Sequence, residues 1–594
     1  MGKKTLKYFV LSALTVVLLF GVFALLGFQD VTGWRFGVRN MLGVFLMLFL
    51  AQVFTGRDLM RPAWRPMMPL VFLGLWAYGA VITASAGEAI GIEAMNGYIL
   101  TFLGGWIFTA LLGMAGNRWS FLQKPLIACN FLLISWLSVG AIVFTAYFFF
   151  TGMRLTPPDM IAILSTNFQE AMEFLESHVG WLRLIPALAI LVLYEIGLLF
   201  LVRTGFKEST EDLAKYRYVM YAGRVAVLVA AILSTSHWIP RIYPAWDYHV
   251  ANKYLILMKK AEMSHEQNVQ NLQIASAEDR LPGTVIVVIG ESATRNHMKA
   301  FQPDHPTETT PWLSAQTNES GFYVIRNSYS NYTVTTQALS MYLSGMNQYN
   351  GEKATGTVTL TDVANKAGYS SYWISNQALS TSNLMEALSE KASAETHWTN
   401  PTGGPDENIM PFLKKLPKNR NQFIVIHLEG SHDRYNARYP ADYELVTTKG
   451  HNEKENTYDT SIRYNDDVLK MIYEYARDNM NLQAMVYCSD HGEDMEKFHS
   501  AGTFTWDMVR VPMWIYLSPE YIAKNPQADA ALRANQNKVF TNDLVFDTVC
   551  GILQAPNNHY DAQYDLLSPS YSLTKENAMT KHGTIRIADD PDLQ

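Results

Sequence analysis

At 594 residues the chain is too long for one ordinary domain, and its charged residues, at 17%, are unusually sparse. A net charge of -7 with no Lys/Arg block flanked by aromatics argues against a nucleic-acid partner. The shortage of charge is uneven: up to about Pro240 apolar runs dominate, each close to the length that crosses ~30 Å of hydrocarbon as a helix, and beyond Pro240 the sequence reads as a soluble domain.

Seven spans are expected, at about residues 8–28, 38–55, 69–86, 98–115, 126–150, 184–202 and 223–239, the last being the weakest. Lysine and arginine gather before the first (Lys3, Lys4, Lys7) and after the second (Arg57, Arg61, Arg65). They recur after the fourth (Arg118, Lys124) and after the sixth (Arg203, Lys207, Lys215, Arg217). The intervening loops are acidic or nearly uncharged, as at Glu88 and Glu93, with Arg35 and Arg39 as the exception. The positive-inside rule therefore puts the amino terminus in the cytoplasm and everything after Pro240 outside. No small-residue cleavage site follows the first span, which reads as an anchor.

Between spans five and six, Ile161, Leu164, Phe168, Met172, Leu175 and Val179 mark one helix face and Glu170, Glu173 and Glu176 the opposite one. An amphipathic helix over 160–179 fits two roles equally, lying in the outer interface to seat a lipid or packing on the soluble domain. The chain thus divides into a membrane domain (1–240), connecting helices (241–280, with Ala251 to Ala277 reading as one helix or a pair) and a soluble domain (281–594). Strands are expected at 284–289, 322–326, 371–374, 422–427, 484–488 and 512–516 with helical patterns between most of them, which implies a largely parallel α/β sheet covered on both faces. Of three cysteines, Cys129 lies in an apolar run. Cys488 and Cys550 are in the soluble part, either as one disulfide or as two buried thiols.

Two of these strands end in carboxylates. AMVYC runs through Ser489 into Asp490, His491 and Gly492, and VIVVIG runs straight into Glu291. Carboxylate and imidazole at the carboxyl edge of an open sheet suit a zinc site, although a bare Asp-His-Gly is also an ordinary turn. Between them NYTVTTQALSMYL offers Thr333, Thr335 and Thr336 at an apparent helix start, where a hydroxyl could hold a phosphate or simply cap the helix. HLEGSH adds His427 and His432 after another strand, and His499 follows eight residues beyond His491.

Through VIVVIGESATR, TVTTQALSMYL, HLEGSHDRYNARYP, YCSDHGED and the spaced His499, the sequence resembles the membrane-bound phosphoethanolamine transferases of Gram-negative bacteria, in the alkaline phosphatase and sulfatase superfamily. YDLLSPSY near the carboxyl end is similar to the branch that modifies the lipopolysaccharide core. The resemblance implies an alkaline-phosphatase-like periplasmic domain on a multi-span inner-membrane anchor. It implies zinc ligands at Glu291, Asp490 and His491, with Thr335 as nucleophile and fourth ligand because Thr335-Thr336-Gln337-Ala338 matches the family's Thr-x-x-Ala. His432 and His499 match positions that bind the phosphoryl group, the substrate or a second, looser zinc, and His427 matches a less understood one. The implied reaction moves phosphoethanolamine from phosphatidylethanolamine to lipopolysaccharide core, lipid A or another envelope glycan through a phosphothreonine, with His432 or His499 as acid and base. The sequence departs from the family in KAFQPDHPTE before Thr309 to Pro311 and in lacking the cysteines for several disulfides.

A phosphoglycerol transferase would share the metal site and differ in the donor head group. A sulfatase needs Cys/Ser-x-Pro-x-Arg, and residues 331–343 contain no Cys, Pro or Arg. A non-catalytic envelope sensor or assembly protein would have no need of Glu291, Thr335, Asp490 and His491 together.

Overall fold

In the computed structural model of the chain, TVIVVIG forms strand β1, Thr284–Gly290, and every one of its residues is buried. A parallel strand covered on both faces needs apolar side chains in both directions. Accordingly Val285, Val287 and Ile289 enter one apolar cluster, and Ile286 and Val288 enter the other. The structure describes residues 2–25, 39–58, 60, 112, 115, 119–151, 171–172, 180–205, 218–219, 221–226, 229, 244–275, 282–377, 383–399, 404–418 and 420–593.

The later strands are β2 (Phe322–Val324), β3 (Asn327–Tyr329), β4 (Ser370–Ser375), β5 (Glu395–Trp398), β6 (Gln422–His427), β7 (Leu482–Ser489), β8 (Met513–Leu517), β9 (Val539–Thr541) and the short antiparallel pair β10 (Met579–Thr580) and β11 (Ile585–Arg586). Seven of them make one sheet in the order β2-β8-β7-β1-β6-β4-β5. β7, β1, β6, β4 and β5 are mutually parallel, and β8 alone runs against the rest. All six expected strands are present. The sequence reading missed β5, whose Glu-Thr-His-Trp is only half-buried at the sheet edge, and the small parallel pair β3–β9. Their composition carries neither an apolar run nor clean alternation. Register then places the chemistry: Ile289 lies beside both His427 and Cys488, and Gly290 beside Ser489, so the chain leaves β1, β6 and β7 at one carboxyl edge. Each fully buried Val or Ile contributes roughly 1.5–3 kcal/mol, which makes this central part of the sheet a rigid mount.

Contacts divide the chain into a unit of 1–160 with 178–251 and a unit of 161–177 with 252–594. In the first, the helices Gly2–Leu25, Arg39–Thr55, Gln123–Thr151 and Trp181–Gly205 fall on expected spans one, two, five and six. Lys7 pairs with Asp58 at 2.7 Å, and Gln52 donates to Ser12 at 2.8 Å, so the first two helices run as a hairpin with Lys7 and Asp58 at the same end. Among the described residues one helix, Leu184–Thr204, is long and apolar enough to cross a membrane. The spans at 69–86, 98–115 and 223–239 and the stretch 160–179 lie wholly or mostly outside the described residues.

The expected connecting segment is a single helix, Pro244–Asn271, after which Ile274 bridges to Asn557. Within the second unit it docks through Ser264 and Asn268, which donate to the Thr355 carbonyl at 2.7 and 3.0 Å, and through His265, 3.1 Å from Asp362. Cys488 and Cys550 are free, and burial pushes both thiols well above their ordinary range, which makes them inert packing groups.

Candidate active site

Four side chains delivered by the sheet edge and by the helix Thr335–Tyr342 meet at one hydroxyl. Thr335 Oγ1 donates to Glu291 Oε2 at 3.1 Å and lies 3.1 Å from His491 Nε2. That same nitrogen is 3.2 Å from Glu291 Oε1 and 3.4 Å from Asp490 Oδ2. Of the four, only Thr335 is not fully buried, so the hydroxyl is the accessible face of the cluster.

The backbone that holds this set is specialised. Ser292 sits in the left-handed region at φ 53, which lets its N–H donate to Asp490 Oδ1 at 3.2 Å and its hydroxyl to Glu291 Oε1 at 2.7 Å. Gly430, at φ 57, packs on Glu291, and a Cβ there would stand 2.5 Å from the Glu291 carbonyl. Gly492 is needed for close approach rather than for a left-handed turn: a Cβ would meet the Asp507 carbonyl at 2.1 Å.

The cluster suits a divalent cation on its own chemistry. His491 Nδ1 donates to the Gly492 carbonyl at 2.9 Å, so the Nε2 lone pair is the one turned to Thr335 and the carboxylates. Asp490 Oδ2 is buried without a hydrogen-bond partner among the described residues. Ligand atoms of Glu291, Asp490 and His491 all lie within 4.8 Å of one another. Burial and then the charge of Glu291 push Asp490 up to about 7, whereas His491 overcomes the opposing effect of burial to hold Glu291 well below the usual carboxylate range. Burial would depress His491, but Asp490 and Glu291 outweigh it and raise the imidazole to about 10. Two buried carboxylates thus retain a proton on the imidazole, and a cation can take its place.

The histidines expected beside this set are all nearby. The ring of His499 is 4.6 Å from that of His491 and 5.4 Å from that of His432. His499 Nδ1 is bound to Glu493 at 2.6 Å, and Tyr435 donates to the other oxygen of Glu493 at 2.7 Å. His432 is partly buried, its Nδ1 is buried without a hydrogen-bond partner among the described residues, and burial lowers its pKa. His427 is tied at 2.7 Å to Glu386, whose charge overcomes burial and raises the imidazole to about 9, a structural ion pair behind the site.

The other two threonines behave differently from Thr335. Thr333 is fully buried and donates to the Ser500 carbonyl at 2.6 Å. The helix N-cap is Val334 and makes no side-chain cap bond, so none of the three threonines is the cap that the isolated sequence allowed.

Sequence reasoning missed the residues that brace the nucleophile turn. Asn542 donates to the Asp490 carbonyl at 2.7 Å and accepts from the Asn331 backbone N–H at 2.8 Å, joining the end of β7 to that turn. Arg438 binds the Glu429 carboxylate at 2.8 Å and the His432 carbonyl at 3.1 Å, fixing the HLEGSH loop. His582 lies 3.1 Å from Asn331 Oδ1, against the Tyr332 ring.

Burial lowers His582 from its ordinary 6.5 to about 4. A depressed folded-state pKa means that the unfolded chain takes the proton first, so this stability is full above pH ~6.5 and is lost as pH falls toward 4. The loss is at most about 3.5 kcal/mol, because each pKa unit is worth ~1.4 kcal/mol. Denaturant titrations at pH 7 and pH 4.5 should show His582→Gln losing less stability on acidification than the wild-type chain, and equal losses would refute the assignment.

Fold and site together define a largely parallel α/β unit whose sheet edge carries a cluster of metal-ligating side chains, and residues 283–554 match the Sulfatase family. The chain is 25% identical over 346 residues to phosphoethanolamine transferase EptC of Escherichia coli (strain K12), a match spanning 52% of this chain and 58% of that relative's length. It is 23% identical over 541 residues to the Kdo(2)-lipid A phosphoethanolamine 7''-transferase of the same strain, covering 81% of this chain and 92% of that one. The integral membrane protein lipooligosaccharide phosphoethanolamine transferase A (EptA) from Neisseria meningitidis shares the fold. Its TM-score is 0.56 at 16% identity, covering 85% of this chain and 97% of that one.

Proposed function

We propose that this chain transfers phosphoethanolamine from phosphatidylethanolamine to an envelope acceptor, the lipopolysaccharide core or lipid A, by two displacements through Thr335. The observation that carries the reading is the meeting of Glu291, Asp490 and His491 around the one accessible hydroxyl. The names of the two Escherichia coli relatives above, both phosphoethanolamine transferases, supply the transferred group. A zinc ion held by Glu291, Thr335, Asp490 and His491 would make the Thr335 oxygen nucleophilic near neutral pH and offset the charge of the phosphate.

In the first displacement Thr335 Oγ1 releases its proton to solvent and bonds to phosphorus while the phosphorus–oxygen bond to diacylglycerol breaks. The departing oxygen takes a proton from His499, whose protonated form Glu493 favours. In the second, the acceptor oxygen attacks phosphorus as the bond to Thr335 Oγ1 breaks; its proton passes through His432, which burial keeps neutral, to refill His499, and Thr335 retakes a proton from solvent.

Mass spectrometry of lipopolysaccharide and other envelope glycans with and without the gene tests this reading. A gene-dependent addition of ~123 Da per acceptor is expected, and one of ~154 Da would identify phosphoglycerol as the group carried by Thr335.

The charge pattern of the loops supports an inner-membrane, multi-pass anchor with the catalytic unit in the periplasm. An alkaline phosphatase reporter fused near residue 280 should therefore be active. An inactive fusion would remove both the periplasmic site and the lipid donor.

A further inference from the structure

A second group of metal-ligating side chains lies outside this site and shares no residue with it. His297, His305, His451 and Asp459 each present one ligand atom, and the four atoms lie within 4.8 Å of one another. His297 Nδ1 is 2.6 Å from Asp459 Oδ1, and His451 Nδ1 is 2.8 Å from Asp459 Oδ2, so both oxygens of one fully buried carboxylate are engaged by imidazole. The three imidazole rings surround a common point, with centroids 5.7 to 6.0 Å apart pair by pair.

His305 supplies the independent sign of a ligand. The residue is only 8% exposed, its Nδ1 donates to the Thr307 carbonyl at 2.8 Å, and its Nε2 is buried with no hydrogen-bond partner among the described residues. A neutral imidazole tied at Nδ1 to a carbonyl and bare at Nε2 is the arrangement of a metal-bound histidine, and it repeats what His491 does with Gly492. A buried ring nitrogen with no partner otherwise costs free energy that a metal bond would recover.

We propose that His297, His305, His451 and Asp459 form a structural zinc site. Three imidazoles and one carboxylate are a closed four-ligand set that leaves no position for substrate, and nitrogen donors select zinc-class ions over magnesium or calcium. The site ties the segment 297–305, which follows Glu291, to the turn and first helical residues at 451–459. Its placement gives it a mechanical role: Tyr458, next to Asp459, donates to the Ser292 carbonyl at 2.7 Å and accepts from the Thr294 N–H at 2.9 Å. An ion here therefore holds the loop that carries Glu291. The inference stands without the transferase reading.

The test uses the full chain in detergent, stripped of metal and titrated with cobalt(II), whose tetrahedral sites absorb visibly. An Asp490→Asn/His491→Ala background removes the other cluster and should still bind one equivalent with tetrahedral bands. His305→Gln in that background, which keeps a donor for Thr307, should weaken binding by at least ~100-fold, and His305→Gln/His451→Gln should abolish it. Circular dichroism checks folding. A measurement on the unmutated chain guards against misfolded variants: zinc should protect His451, whose side chain is 20% exposed, from carbethoxylation. Absence of the equivalent in the Asp490→Asn/His491→Ala background, uptake unchanged by folded His305→Gln/His451→Gln, or equal carbethoxylation with and without zinc would each overturn the site.

Discussion

Thr335→Ala is expected to lower transfer by at least ~10³-fold while leaving the chain folded and inserted, because removal of a nucleophile eliminates the covalent route rather than weakening it. The structural cost is small: Thr335 is partly exposed, and among the described residues its hydroxyl bonds to Glu291 and His491. Thr335→Ser retains the oxygen and loses a methyl group that restricts χ1, so it should keep activity within about 10–100-fold of the wild-type chain. Thr333→Ala should show the opposite signature. Its hydroxyl is spent on the Ser500 carbonyl, so that variant loses about 1–3 kcal/mol of stability through an orphaned buried acceptor, with transfer by the folded fraction little changed. The decisive readout is direct: a lipid labelled in its head group, incubated without acceptor, should leave a ~123 Da adduct on the peptide carrying Thr335. Label on Thr336 instead would move the nucleophile by one residue, and normal turnover by Thr335→Ala would end the covalent mechanism.

The difference between Thr333 and Thr335 marks how far the sequence alone reaches. The strand ends at Glu291 and Asp490 are legible because an unbroken apolar run that stops at a carboxylate has one physical reading, a buried strand reaching the sheet edge. Three neighbouring threonines carry no such mark, since which hydroxyl faces the carboxylates depends on where the helix begins. Here it begins at Thr335. Asn542, Arg438 and His582 act through side-chain hydrogen bonds, to partners up to 251 residues away, and no periodicity or spacing announces such a bond. The same holds for His297 and Asp459, which are 162 residues apart and meet only because the helix Glu453–Asn479 packs beside the loop after β1. Gly492 shows a subtler limit: its identity was legible but its reason was not, because the constraint is the Asp507 carbonyl and not the backbone angle.

Asp490→Asn is expected to change stability in opposite directions depending on zinc. In the metal-free chain Glu291 and Asp490 are like charges fully buried together, and Asp490 Oδ2 has no hydrogen-bond partner among the described residues, so the neutral amide should raise the melting temperature. With zinc at about 100 times the wild-type dissociation constant, the wild-type chain gains about 2.7 kcal/mol by mass action and the variant, lacking that ligand, should gain almost none. The order of stability therefore reverses between chelator and zinc. Thermal melts of both proteins in each condition, with elemental analysis of bound zinc, measure this crossing. His491→Ala separates the explanations further. It removes the Nε2 lone pair together with the positive partner of both carboxylates, so it should lose the zinc response and also be the less stable protein in chelator. If Glu291, Asp490 and His491 were only a buried ion-pair network, zinc would shift neither protein's melting temperature, Asp490→Asn would keep the same rank in both conditions and the crossing would not occur.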